Sequence, residues 1–394
     1  MRAVTWDGWN LTGLTAGPGQ RWGAIRLVPL LRDAPITDLR LHARLHDPDD
    51  PTVAVPDPRT GHVAYVPHAF VASWTSDGGP VAAYGTQLTD PARGRPAGVG
   101  LHLPRRTTRR KERNRLRFLP LHLALEGYLA LHCGGPSVVW EEWNRRAVNR
   151  GLSPWAGQAY TGAEVAGLAD ALRVFEIHPG QCGMLLYVAD ALAAALVVPH
   201  PDDYRVLHPT LLLDLFGELV YHHAHLYPAV AEFHVEIDAE RVTRVADLRA
   251  EAARIRAAWS AFALSMAEGL FGARPTTSTP VYRMGRFTLA RFLPDFDPRQ
   301  ENHIGETITD EAGRLAYPKT FRLSAAQVRR GYLLSRLAAH DWNLDATAGA
   351  LGTDRESLVR RLDRAGFGNL LRPEIIDAAR RAARERDRRL RRSR

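Results

Sequence analysis

Residues 183–198, GMLLYVADALAAALVV, form the most apolar run of the chain, and how they are read decides the fold class. A helix needs about 20 apolar residues to cross a bilayer. This run has 16 and carries Asp190 in its middle, so it is expected to be buried protein core. GMLLYVAD reads as a strand. ALAAALVV is ambiguous between strand and helix, since a short apolar run fits both. Ahead of it, GAEVAGLADALRVFEI (162–177) reads as a helix running into a strand, and HPGQ (178–181) as a turn. Behind it, HPTLLLDLFGELVYHHAHLY (208–227) has the apolar spacing of a strong helix.

Working outward, PLHLALEGYLALHCG (120–134) and VVWEEWNRRAVNRG (138–151) are both expected to be helical and end at glycines. The first 100 residues are rich in Gly, Pro and short β-prone pieces such as WGAIRLVPLL (22–31) and HVAYVPHAFVASW (62–74), which predicts several strands. Farther on, EFHVEI (232–237) is strand-like and VADLRAEAARIRAAWSAFALSMAEGLFG (245–272) is an amphipathic helix. YRMGRFTLARFLPDFDPRQENHIGETI (282–308) reads as a looser stretch. The expectation is an α+β protein: a strand-rich part over 1–117, a mixed α/β core over 118–320 that forms one body with it, and a helical domain over 321–394.

Charge separates that last part from the rest. Residues 321–394 hold 18 Arg and 9 acidic residues, which accounts for the whole net charge of +9, while residues 1–320 balance to zero. Only Lys111 and Lys319 are lysines. The two cysteines, Cys133 and Cys182, make no CxxC pair, and the N-terminus MRAVTWDGWN has no apolar signal core. A reducing cytoplasm is the expected compartment, with no membrane contact and no cofactor.

In the basic segment, LLSRLAAHDWNLDATAGALGTDRESLVRRLDRAGFGN (333–369) has three short helical pieces. Asn343 or Leu344 opens the middle one, Gly352 permits the tight turn after it, and Thr353 or Asp354 caps the next. Leu358 and Leu362 point inward, leaving Arg355, Ser357, Arg360, Arg361 and Arg364 for the outer side. Arginine grips guanine bidentately and phosphate readily, so such a helix suits the major groove of DNA. The tail, with Arg380 and Arg381 among 9 Arg over 377–394, adds further phosphate contacts or is a solvated helix. An ordinary helical hairpin for protein contacts fits the same pattern.

This segment resembles the helix-turn-helix of the Fis family, over about 40 residues. The likeness runs without gaps through Ala348, Gly352, Arg355, Ser357, Leu358, Arg360, Arg361, Leu362 and Gly366. It implies that Arg355, Ser357, Arg360 and Arg361 contact DNA, although Asp354 stands where a neutral Asn is common and Glu356 is acidic too. A second resemblance covers residues 118–225. RFLPLHLALEGYLA followed by FEIHPGQCGMLLYVADALAAALVVPHPDDYRVLHPTLLLDLFGELVYHHA is similar to proteins of the ARPP type, which are associated with ADP-ribosylglycohydrolases and rhodanese-phosphatase-type proteins. It implies a bacterial protein linked to ADP-ribose or NAD metabolism, and supplies no functional residues.

Other chemistry is thinner. On one regular helix over 211–226, Asp214, Glu218, His222 and His225 fall within roughly 80° of arc, and carboxylates with imidazoles on one stripe hold divalent metals. The wet face of an amphipathic helix looks the same. Cys182 near His178 is a weak nucleophile pair, and HPDDY (200–204) reads as a capped turn more readily than an acid/base pair. No GxxxxGK[ST] is present, which removes a P-loop ATPase. Arg105, Arg106, Arg109, Arg110, Lys111 and Arg113 form a second basic patch, a nucleic-acid contact or an exposed loop. The expected function is a DNA-binding regulator, homodimeric, whose body dimerises or senses a nucleotide-like ligand. The alternatives are an enzyme, hydrolytic or nucleotide-processing, delivered to nucleic acid, and a non-catalytic adaptor.

Overall fold

The computed structural model describes residues 9–42, 117–132, 154–160, 165–229, 235–266 and 276–392, and the backbone of short strands between residues 62 and 100. Its frame is one nine-stranded antiparallel sheet. The strands are β1 (Leu14–Ala16), β2 (Gln20–Trp22), β3 (Ile25–Arg32), β4 (Gln181–Val188), β5 (Ala191–Val197), β6 (Thr276–Met284), β7 (Phe287–Pro294), β8 (His303–Thr309) and β9 (Leu315–Arg322). They lie in the order β1-β3-β4-β5-β9-β8-β7-β6, with β2 sharing the outer edge of β3 with β1. Shorter strands pair in three small sheets, among them Leu39–His42 parallel to His62–Tyr65.

The apolar run becomes the hairpin β4–β5, closed by Ala189 and Asp190. ALAAALVV is strand, although alanine favours helix. The reason is burial on both faces. Met184, Leu186, Ala194 and Leu196 join the large core with Leu27. Leu185, Tyr187, Ala195 and Val197 join a smaller one with Val28 and Leu30. With both faces covered, the strand loses its polar alternation.

Helices cover the two faces. On the large-core side lie α1 (Leu121–His132), α2 (Pro201–Thr210) and α3 (Gly217–His225), which supply Leu125, Leu129, Leu207 and Val220. On the other lies α4 (Val245–Met266), where the Tyr187 hydroxyl donates to the Ala263 carbonyl at 2.6 Å. Among the described residues no helix is long and apolar enough to cross a membrane.

Three local expectations change. The looser stretch is strands β6, β7 and β8, held by a hairpin whose two-residue turn has Gly285 at φ +54°. In the described part of the expected helix-to-strand segment, residues 165–177, only Ala171–Val174 is helical, and Phe175–Ile177 pairs with no strand. The described part of EFHVEI, residues 235–237, is not strand either. The expected helix over 138–151 and the 105–113 basic patch lie outside the described residues.

The C-terminal helices are α5 (Ala325–Ala339), α6 (Leu344–Ala350), α7 (Arg355–Arg364) and α8 (Pro373–Arg392). Ser324 and Gln327 form a reciprocal capping box at the start of α5. Leu333, Leu337, Leu358, Leu362 and Phe367 belong to the same core cluster as the sheet residues Leu27 and Ile304. Phe296 joins the two parts. Its ring lies against Gly331 of α5, where any added Cβ would collide with it. Residue 320 falls inside β9.

Candidate functional site

Helix α7 is built by local rules. Asp354 is its N-cap and accepts from the Ser357 backbone N–H at 2.7 Å. The Ser357 hydroxyl donates to the same carboxylate at 3.0 Å, and Arg386 reaches it from α8 at 3.2 Å. These bonds, the Ser357 backbone first, hold the Asp354 carboxyl well below the usual carboxylate range. Gly352, at φ +61°, makes the turn between α6 and α7. Leu358, Val359 and Leu362 are buried.

The basic side chains then divide. Arg355 is exposed and paired with Asp345 of α6 at 3.1 Å. Arg360 is half-buried and donates to the Ser357 hydroxyl at 3.0 Å. Arg380 of α8 pairs with Asp363 at 2.7 Å. Arg361, Arg364 and Arg381 are exposed, and no described carboxylate pairs with them. An acidic residue at 354 is thus accounted for by capping and by its arginine partner, and Arg361 and Arg364 carry the unneutralised charge of α7.

The metal stripe assumed one uninterrupted α-helix. Leu211–Leu215 is instead a π-helical turn between α2 and α3, and its wider winding shifts the phase of everything after it. Asp214 is 1% exposed and accepts from the Phe118 backbone N–H at 3.4 Å. Glu218 faces His122 of α1 at 3.0 Å and His222 at 4.0 Å. His225 lies edge-on to Trp22, 4.8 Å between ring centres. Among the described residues no group of three or more His, Cys, Asp or Glu is arranged to hold a metal ion.

The other candidates have structural partners. Cys182 is fully buried, and burial pushes its thiol up, the opposite of an activated nucleophile. The His178 ring approaches Gln20 at 3.3 Å. His200 caps α2 by accepting from the Asp202 N–H, and Asp203 takes a fork of bonds from Arg40 at 2.7–3.1 Å.

One constellation was not read from the sequence. Arg291, Glu306 and Lys319 stand directly opposite one another on β7, β8 and β9. Glu306 is 0% exposed and accepts from Arg291 at 2.9 Å; Lys319 is 2% exposed. Burial pushes the Lys319 amine down to about 7, with Glu306 acting against the shift. Tyr128 of α1 lies over the row and donates to the Gly305 carbonyl at 2.7 Å. The available signal was compositional: lysine stands at 319 in a chain that otherwise uses arginine at all but one cationic position.

A family model described as ARPP-2 matches residues 9–285, from the first described residue to the β6–β7 turn. No curated protein and no solved structure matches the chain.

Proposed function

The chain belongs to the ARPP-2 family, and from that premise we propose that this member is a DNA-binding regulator. Its body would dimerise or sense a small nucleotide-like ligand, with ADP-ribose or NAD derivatives as the first class to try. The observation that carries the DNA reading is charge placement. The entire net charge lies in residues 321–394, and phosphate neutralisation is what a basic module supplies.

In this reading α6 and α7 act as a Fis-like helix-turn-helix and α7 enters the major groove. Arg355 and Ser357 meet base edges, while Arg360, Arg361, Arg364, Arg380 and Arg381 hold phosphates. Arg355 must first leave Asp345, an exposed pair worth only about 0–1 kcal/mol. A homodimer follows, because one such helix covers little DNA. The cytoplasm is the compartment this reading requires. The second reading, an enzyme in the body, is favoured by Lys319, since buried amines shifted toward neutrality serve as bases and nucleophiles.

The test is a salt series of duplex-DNA binding with the full chain and with Arg355→Ala and Arg360→Ala. Both substitutions are expected to weaken binding; Arg360→Ala should also flatten the log–log salt slope by about 0.9 for its lost phosphate contact, and Arg355→Ala should relax base preference. Binding that survives both with an unchanged slope overturns the reading. Cutting at residue 320 is a poor control, because it severs β9 and removes α5 from the core.

A further inference from the structure

A cleft of about 990 Å³ lies between the loop that follows β7 and the C-terminal helices. Three segments distant in sequence wall it: the loop 295–299 after β7, the first half of α5, and the end of α7. Each brings arginine. Arg299 comes from the loop, Arg329 and Arg330 from α5, and Arg361 and Arg364 from α7. Asp295 and Asp297 are the acids in the lining. Asp297 spends one carboxylate oxygen on the Arg299 backbone N–H, at 2.9 Å. No described carboxylate pairs with the guanidinium of Arg299, Arg329, Arg361 or Arg364.

Several arginines elsewhere in the fold are matched. Arg40, Arg254, Arg286, Arg291, Arg314 and Arg380 each face a carboxylate within 3.1 Å. Gathering like charges in a recess raises the local potential and favours an anion. The floor is apolar, made by Val328, Leu333 and Phe296, all buried. Phe296 is held at φ +56°, a conformation that costs a bulky residue about 1–3 kcal/mol and persists where the surroundings impose it.

We propose that this cleft binds a small phosphorylated organic anion of the nucleoside-diphosphate class. Guanidinium forks match phosphate oxygens bidentately. Two or three ligand charges would offset the excess of five arginines over two aspartates. The apolar floor takes a flat, uncharged remainder, and the volume lies at the upper end of ordinary ligand pockets. A DNA duplex is too broad and convex to enter such a recess, so the occupant is a small molecule. The site stands whether or not α7 binds DNA. If it does, Arg361 and Arg364 serve both, and ligand and DNA compete.

The test is isothermal titration of the full chain, at low ionic strength, with ADP, pyrophosphate, adenosine and citrate. ADP is expected to bind one per chain, pyrophosphate more weakly, and adenosine and citrate not at all. Arg299→Gln and Arg329→Gln, both exposed and outside α7, should each weaken ADP binding roughly tenfold. Arg256→Gln, on exposed α4, should leave it unchanged, and melting curves check that each variant folds. ADP that stays silent to about 1 mM, or binding indifferent to both cleft substitutions, overturns the proposal. So does citrate or adenosine binding as tightly as ADP, or an equal loss in Arg256→Gln.

Discussion

Lys319 shows how much one side chain's chemistry depends on where it is put. Unfolded, it keeps its proton to about pH 10.5; folded, burial lowers that to about 7. Between those values the unfolded chain binds more protons, so stability rises with pH, by at most about 1.4 kcal/mol per pH unit for one group. His208, whose affinity for protons is also lowered by burial, acts in the same sense at lower pH. Cys182, whose thiol is pushed up, opposes the trend once an unfolded thiol ionises, near pH 8.5. The melting midpoint should therefore climb from pH 7 to about pH 8.5, and Lys319→Met should lose that climb. A flat wild-type profile over this window would count against a neutral-shifted amine. Asp354 makes the complementary point. It is one of two cap candidates in the sequence and an acid where the Fis-like pattern has a neutral Asn; in the fold it caps α7 and its charge is met by Arg386.

At the scale of elements, local rules located the C-terminal helices well. Asn343 caps α6, Gly352 turns, and Asp354 caps α7, all within the expected spans, because a cap is a bond between residues two or three apart. The strands β6 to β8 were missed for want of a clean alternation. β7 breaks its alternation at Ala290 and Arg291, and β6 pairs irregularly between Pro280 and Tyr282. The overlooked signal was the turn, Gly285–Arg286, where a glycine at the first position suits a two-residue hairpin. Gly285→Ala should cost about 1–2 kcal/mol by urea denaturation, since φ there is +54°; a neutral substitution would contradict that turn. The metal stripe failed for a related reason. Helical phase was extrapolated through Leu211–Leu215, and a π turn is not visible in apolar spacing.

For the whole molecule, the question is whether the basic helices are a separate module. One apolar cluster runs from the sheet through α5 into α6 and α7, so the protein should unfold in a single transition, with fluorescence and helical circular dichroism coinciding. Gly331→Ala probes the joint. Its methyl would press on the Phe296 ring, and overpacking of that kind costs about 1–3 kcal/mol. If the variant instead splits unfolding into two steps while the sheet keeps its midpoint, the two parts fold independently. The amino-acid sequence by itself determined the α+β class, the core character of most of residues 183–198, the Gly352 turn with two cap candidates for each flanking helix, and the concentration of charge in the last 74 residues. Each depends on composition or on neighbours a few positions apart. Tertiary structure alone decided that ALAAALVV is strand, that Arg361 and Arg364 share a cleft with Arg299, and that Lys319 titrates near neutrality. Those outcomes are set by partners brought from distant parts of the chain, whose packing overrides local preference and replaces water around a charge.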